Sequence, residues 1–266
     1  MQSDLILGYG LRKMIPRFSK RQLDDIAEAF VEAFYPEAFE TTTYIDMDVV
    51  YERLGLNLEI IQLNEDFERE GVFGMCCFTH GLVHIFDPVD EFIDYEVEPG
   101  TVLIDPNSYL ARNEGCFNNT KAHEAVHWVF HRGYYSIQPV EEEEAALVAC
   151  RDKRVQSTEP KRWGNDDFAE WQANSLAPRI LMPKTSFQLV TEQCKRSIQR
   201  DDISLRVLAN MAIKTGGARP LDWLVAMLAD FYHVSKQSAL LRLRDLGDPW
   251  YEEREDKELA FDAIIR

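Results

Sequence analysis

The sequence predicts an α+β fold: a mixed domain over residues 1–183 with a small, mainly antiparallel sheet and a central H-E-x-x-H helix, then a helical segment over 184–247 and an acidic tail over 248–266. Three observations carry this prediction. Apolar residues recur at helical spacing near both ends of the chain, short β-like runs fill the stretch between Leu56 and Asp105, and the net charge changes sign along the sequence. That charge is −17 over 1–183, +4 over 184–247 and −4 over the tail.

Ser19 is placed to cap a first amphipathic helix, in which Leu23, Ile26, Ala27, Phe30, Val31 and Phe34 form one apolar face. Asp46 is placed to cap a second, shorter helix that Gly55 ends. The period then shortens. LNLEIIQL, VFGMCCF, LVHIF and TVLID read as strands, the last reached through an acidic, proline-bearing connection. Between Asn118 and Phe130 the helical period returns, and Gly133 stands where that helix is expected to end. FAEWQANSLAPRILMP is a further helix closed by Pro183, with a kink or break expected near Ala177 because Pro178 lies inside it. Beyond Lys184 the runs ISLRVLANMAI, LDWLVAMLADFY and SKQSALLRLRDLG predict three more helices.

With 266 residues, 45% of them hydrophobic and 28% charged, the chain has ample material for a packed core and not the composition of a disordered one. Its net charge of −17 opposes long-range attraction to nucleic acid or anionic membranes. No apolar run approaches the ~20 residues of a membrane span, and the N-terminus lacks the pattern of a signal peptide, so a cytoplasmic location is expected. The five cysteines, Cys76, Cys77, Cys116, Cys150 and Cys194, form no C-x-x-C pair and are expected to be free thiols.

His123-Glu124-Ala125-Val126-His127 carries the chemistry. Histidines four apart stand one above the other on a helix, so two imidazoles can meet one zinc ion. Glu124 lies about 100° around the helix from His123, within reach of a metal-bound water without being a ligand, which is the place of a general base. Ala122, Ala125, Val126, Val129 and Phe130 make this helix apolar enough to be buried. His131 extends the stripe by a turn, and as a helix-end imidazole it also suits the dipole.

A catalytic zinc needs a third protein ligand. The run Glu141 to Glu144, Asp166, Asp167 and Glu170 are the candidates, with Glu170 favoured because it lies on the next helix. Asn174 follows one turn later on the same face, where it can hold a ligand by a hydrogen bond. Tyr134, Tyr135 and His131 are positional candidates for stabilising an oxyanion.

The order of these elements resembles the ImmA/IrrE family of bacterial intracellular zinc metallo-endopeptidases. ERLGLNLEI, the strands with GMCCF and LVHIF, then TVLID lead into TKAHEAVHW, and EWQANSLAPRILMP is similar to the family's E-x-x-A-N-x-F-A-x-x-L-L-M-P. Leu176 replaces the usual Phe, Pro178 is an addition, and residues 133–165 match no motif. The resemblance covers about residues 45–183. It implies a zincin-like catalytic domain holding one Zn2+ per chain, with His123, His127 and Glu170 as ligands and Glu124 as catalytic base. The implied substrate is a transcriptional repressor of the helix-turn-helix kind, controlling a mobile element or a stress response.

LADFYHVSKQSALLRLRDLG resembles the helix-turn-helix-like ending common in that family, with Val234-Ser235 opening the last helix. Lys236, Gln237, Arg242 and Arg244 would be its DNA-facing residues. The acidity of the body favours instead a helical support that braces the catalytic domain or docks a protein substrate, so DNA binding is not expected. The rival reading is a non-proteolytic, metal-stabilised regulator that binds DNA or a repressor through these helices.

Overall fold

The computed structural model describes residues 6, 8–65, 72–89, 91–139, 146, 148–152, 163–200 and 219–252. Helix α1 (Leu23–Phe34) is entered through a single tight turn at Lys20–Gln22, where the Gln22 side chain accepts from the Ser19 backbone N–H. It buries Leu23, Ala27, Phe30, Val31 and Phe34, as its spacing predicts. Helix α2 (Met47–Leu54) begins where the Asp46 carboxylate accepts from the Asp48 N–H at 2.9 Å, and it ends at Gly55, whose φ of +67° only glycine adopts at little cost.

Strands β1 (Asn57–Ile60), β2 (Val72–Cys77), β5 (Thr101–Ile104) and β6 (Val148–Asp152) form one sheet in the order β1-β5-β2-β6. This sheet is mixed: β1 and β5 run parallel, because the chain passes through β2 and a hairpin before returning beside β1 in the same direction. The expected mainly antiparallel sheet thus takes two forms, since among the described strands β3 (Gly81–Asp87) and β4 (Glu91–Val97) pair with each other as a separate antiparallel hairpin. Strand β4 is the acidic connection of the sequence reading. It is a strand because Ile93, Tyr95 and Val97 alternate inward while Asp94 and Glu96 face water.

The period of two divides the main sheet between two cores. Cys76, Val102 and Ile104 join the large core made with the helices, whereas Met75, Cys77 and Leu103 meet Leu63, Val83, Ile85 and Val97 beneath the hairpin.

On the large-core side lies α3 (Glu114–Val126), capped by Asn113 accepting from the Cys116 N–H at 2.9 Å. The chain stays helical through a wider turn at His127–His131 and a last turn at Arg132–Tyr135. Gly133 therefore does not end the helix. A Cβ there would lie 2.5 Å from the Arg12 carbonyl oxygen and 2.6 Å from that of Gly10, so the glycine serves a close crossing of the N-terminal segment over the helix. Tyr9 and Phe18 complete that crossing by packing their rings on Phe130.

Helix α4 (Asn165–Leu181) packs along α3 and runs through Pro178 without the expected break. Pro178 has no N–H to give the Asn174 carbonyl, and Asn174 is exposed, so water can serve that oxygen. The C-terminal part is helical: α6 (Pro220–Tyr232) and α7 (Lys236–Asp245) match two of the expected helices, with Ser235 capping the second by accepting from the Ser238 N–H at 3.0 Å, and α5 (Lys184–Gln199) is a helix the sequence runs do not name. It is fastened to the body. Asn118 on α3 donates to the His233 carbonyl at 3.0 Å, and Arg242 reaches the Met182 carbonyl at 3.1 Å and the Asp24 carboxylate at 2.7 Å.

Arg242 is thereby buried, which corrects the expectation that it faces outward; Gln237 and Arg244 are exposed. The helix expected at ISLRVLANMAI and the Glu141 to Glu144 run lie outside the described residues, as does the tail beyond residue 252. Among the described residues no helix is long and apolar enough to cross a membrane.

Candidate metal centre

His123 near the end of α3 and His127 at the start of the wider turn that continues it lie on one buried stripe, where their four-residue spacing brings the tilted rings to a centroid distance of 4.8 Å. The two Nε2 atoms lie 3.0 Å apart. Glu170 enters from α4 and bridges them, with one carboxylate oxygen 3.3 Å from His123 Nε2 and the other 3.1 Å from His127 Nε2. These three residues form a group able to hold a metal ion, two of them wholly buried and the carboxylate partly exposed.

The donor set fits zinc. Tetrahedral bonds of ~2.0–2.1 Å place neighbouring donors about 3.3 Å apart, close to the separations seen, and two imidazoles with one carboxylate are a set that zinc accepts. Burial pushes the Glu170 carboxyl up, but the adjacent His127 and His123 more than reverse this and hold it below the usual carboxylate range. It is an anion at neutral pH, as a ligand must be.

Glu124 is fully buried. Its carboxylate lies against β2, where a Cβ on Gly74 would come within 2.8 Å of Oε1 and within 2.7 Å of the Thr120 methyl, so a glycine in that strand gives the side chain its room. Lys121, next to the motif, ties α3 to α2: its Nζ pairs with Asp48 at 2.6 Å and its carbonyl accepts from the Tyr51 hydroxyl at 2.9 Å.

The other predicted residues separate. Tyr135 stacks on Phe78 with centroids 4.9 Å apart and lies 6.3 Å from the His127 ring. Burial, then the Asp166 and Glu170 charges and a hydrogen bond to Asp166, raises its phenol well above its ordinary value, so it keeps its proton. Tyr134 packs against Tyr135. Asp166 thus sits beside Tyr135, and it is Glu170 that reaches the histidines.

Asn174 is exposed and, with Asn119 and Arg179, lines a trough of about 300 Å3 walled on its far side by α7. His131 is fully buried, with Nδ1 3.1 Å from His127 Nδ1 and Nε2 3.0 Å from the Gln172 side-chain oxygen. With both ring nitrogens engaged it has none to offer an oxyanion, which corrects that candidacy. Burial pushes its imidazole down to about 3, so it is neutral at neutral pH. Gln172, which the sequence reading passed over, is the α4 side chain hydrogen-bonded into the histidine stripe. The available signal is its register with Ala169, Ala173 and Leu176 on the apolar face of the helix, where a polar side chain needs a partner.

Comparison of the chain with protein-family models, with curated proteins and with solved structures found no match.

Proposed function

We propose that this chain is a zinc-dependent endopeptidase of the ImmA/IrrE type, with a zincin-like catalytic domain, that cleaves a protein partner at one site. The observation that carries the reading is the convergence of His123 Nε2, His127 Nε2 and the Glu170 carboxylate, with Glu124 next to the first of them on the same helix. Zinc in such a donor set supplies Lewis acidity toward a peptide carbonyl and makes water nucleophilic at neutral pH.

Glu124 moves the proton. Its carboxylate takes one proton from the water that adds to the carbonyl carbon and returns it to the amine as the C–N bond breaks, ending the cycle unchanged. Its burial beside Gly74 keeps other water from the carboxylate. Tyr135, protonated and with its ring 6.3 Å from that of His127, is the donor proposed for the carbonyl oxygen, exchanging its hydrogen bond to Asp166 for one to the substrate.

The substrate we propose is a transcriptional repressor of the helix-turn-helix kind, met in the cytoplasm, with the C-terminal helices as brace and docking surface. The burial of Arg242 supports the bracing role over DNA contact. The test is co-expression with a helix-turn-helix repressor encoded beside this chain, followed by intact-mass measurement. Wild type should give two fragments whose masses add to the partner plus one water, and Glu124→Gln none. If Glu124→Gln preserves the full biological output, the protein is instead a non-proteolytic regulator.

A further inference from the structure

Four wholly or nearly buried groups extend from the metal centre to the N-terminal segment. His127 Nδ1 meets His131 Nδ1 at 3.1 Å, His131 Nε2 meets Gln172 Oε1 at 3.0 Å, and Gln172 Nε2 donates to the Pro16 carbonyl oxygen. His127, His131 and Gln172 have no exposed surface. The last contact decides the direction of all the others, because a backbone carbonyl can only accept.

Gln172 must therefore turn its NH2 toward Pro16 and its oxygen toward His131. That oxygen accepts, so His131 carries its proton on Nε2 and presents a lone pair at Nδ1. His127 must then donate from Nδ1, which makes Nε2, the nitrogen facing His123 and Glu170, the one left to ligate a metal ion. We infer that His131 and Gln172 are positioning residues: with the Pro16 carbonyl as fixed terminus, they lock His127 in the one tautomer that can ligate a metal ion through Nε2. His123 lies outside this chain of bonds.

The terminus is fixed in turn. Pro16 lies in the segment held over the active helix by the Gly10–Gly133 crossing and by the Tyr9 and Phe18 rings on Phe130. The wider helical turn at His127–His131 spans the two imidazoles that the chain joins. A segment more than a hundred residues upstream thereby sets the proton position of a ligand, in the manner of the carbonyl or carboxylate partners that orient metal-bound histidines.

This inference rests on the metal reading, and its test separates the two. In 15N-histidine-labelled, metal-free wild type, long-range 1H–15N correlations should show His127 protonated at Nδ1 and His131 at Nε2. The opposite tautomer at either ring overturns the inference. Zinc affinity is then measured by chelator competition for wild type, Gln172→Met and Gln172→Glu. Met fills the volume without an acceptor, and affinity should fall ~10–100-fold; Glu, kept protonated by burial, donates to the Pro16 carbonyl and keeps an acceptor on His131, and should stay within about threefold of wild type.

Equal loss in both variants would mark a packing role, and full retention in Gln172→Met would mark no role; either overturns the inference. If wild type binds no zinc, the metal reading fails, while the tautomer measurement still decides the hydrogen-bond chain.

Discussion

Replacing Gly133 by alanine sets two effects of opposite sign against each other. Gly133 is helical, and alanine there gains about 1 kcal/mol of helix propensity. Its Cβ, however, would stand 2.5 and 2.6 Å from the carbonyl oxygens of Arg12 and Gly10 and 3.0 Å from the Leu11 carbonyl carbon. An ordinary contact begins near 3.4 Å, so the N-terminal segment would have to retreat by almost an ångström, and backbone atoms cannot rotate away as a side-chain tip can. Overpacking of this kind costs about 3 kcal/mol, the upper part of the usual range. The net loss is then about 2 kcal/mol, or a fall in Tm of roughly 4–8 °C for a chain of this size. Differential scanning calorimetry of metal-free wild type and Gly133→Ala measures it, with Gly8→Ala as control because a Cβ at Gly8 meets nothing within 4 Å. A Gly133→Ala protein melting at or above the wild-type temperature would refute the crossing.

The thiols should rank by environment. Burial, with the Glu124 charge adding to it, pushes Cys77 up to about 12, and burial pushes Cys194 up to about 11, so at pH 8 only ~1 in 10^3 to 10^4 of these thiols is ionised. Site-resolved alkylation at pH 8 should label the half-buried Cys116 well before Cys77 or Cys194, and early labelling of Cys77 would contradict its placement under the hairpin. His131 makes the metal-free fold acid-sensitive. Its folded value near 3 lies below the unfolded 6.5, so the unfolded chain binds the extra proton as pH falls. Stability is complete above about pH 6.5 and is lost below it at up to ~1.4 kcal/mol per pH unit. Urea midpoints from pH 7.5 to 4.5 should fall less steeply for His131→Gln, and parallel slopes would show that His131 is not the group responsible. Glu170, lowered from its ordinary value, adds a loss of the same sign only below about pH 4.5.

What the sequence disclosed is what local spacing dictates. The four-residue interval placed both histidines on one face, and the second helix brought Glu170 to them, because helical periodicity survives folding unchanged. Strand β4 could have been found from Ile93, Tyr95 and Val97, but its acidic outer face hid the alternation. The parallel pairing of β1 with β5 depends on where distant segments meet, and no residue in either strand announces it. Gly133 and Pro178 misled for a shared reason: each was given its commonest local meaning, while the N-terminal crossing at one and solvent beside Asn174 at the other decide the conformation. The role of His131 was hidden because it is defined by Gln172 and Pro16, 41 and 115 residues away along the chain.

The central claim is that His123, His127 and Glu170 hold one metal ion, with Glu124 beside it and outside the ligand set. Elemental analysis after zinc loading and exhaustive dialysis tests it most directly, on wild type, Glu170→Ala and Glu124→Gln in parallel. Wild type and Glu124→Gln should each retain about one zinc per chain, and Glu170→Ala should lose it, since two imidazoles alone bind weakly. A wild-type protein that keeps no metal, or a Glu170→Ala protein that keeps as much as wild type, would contradict the account.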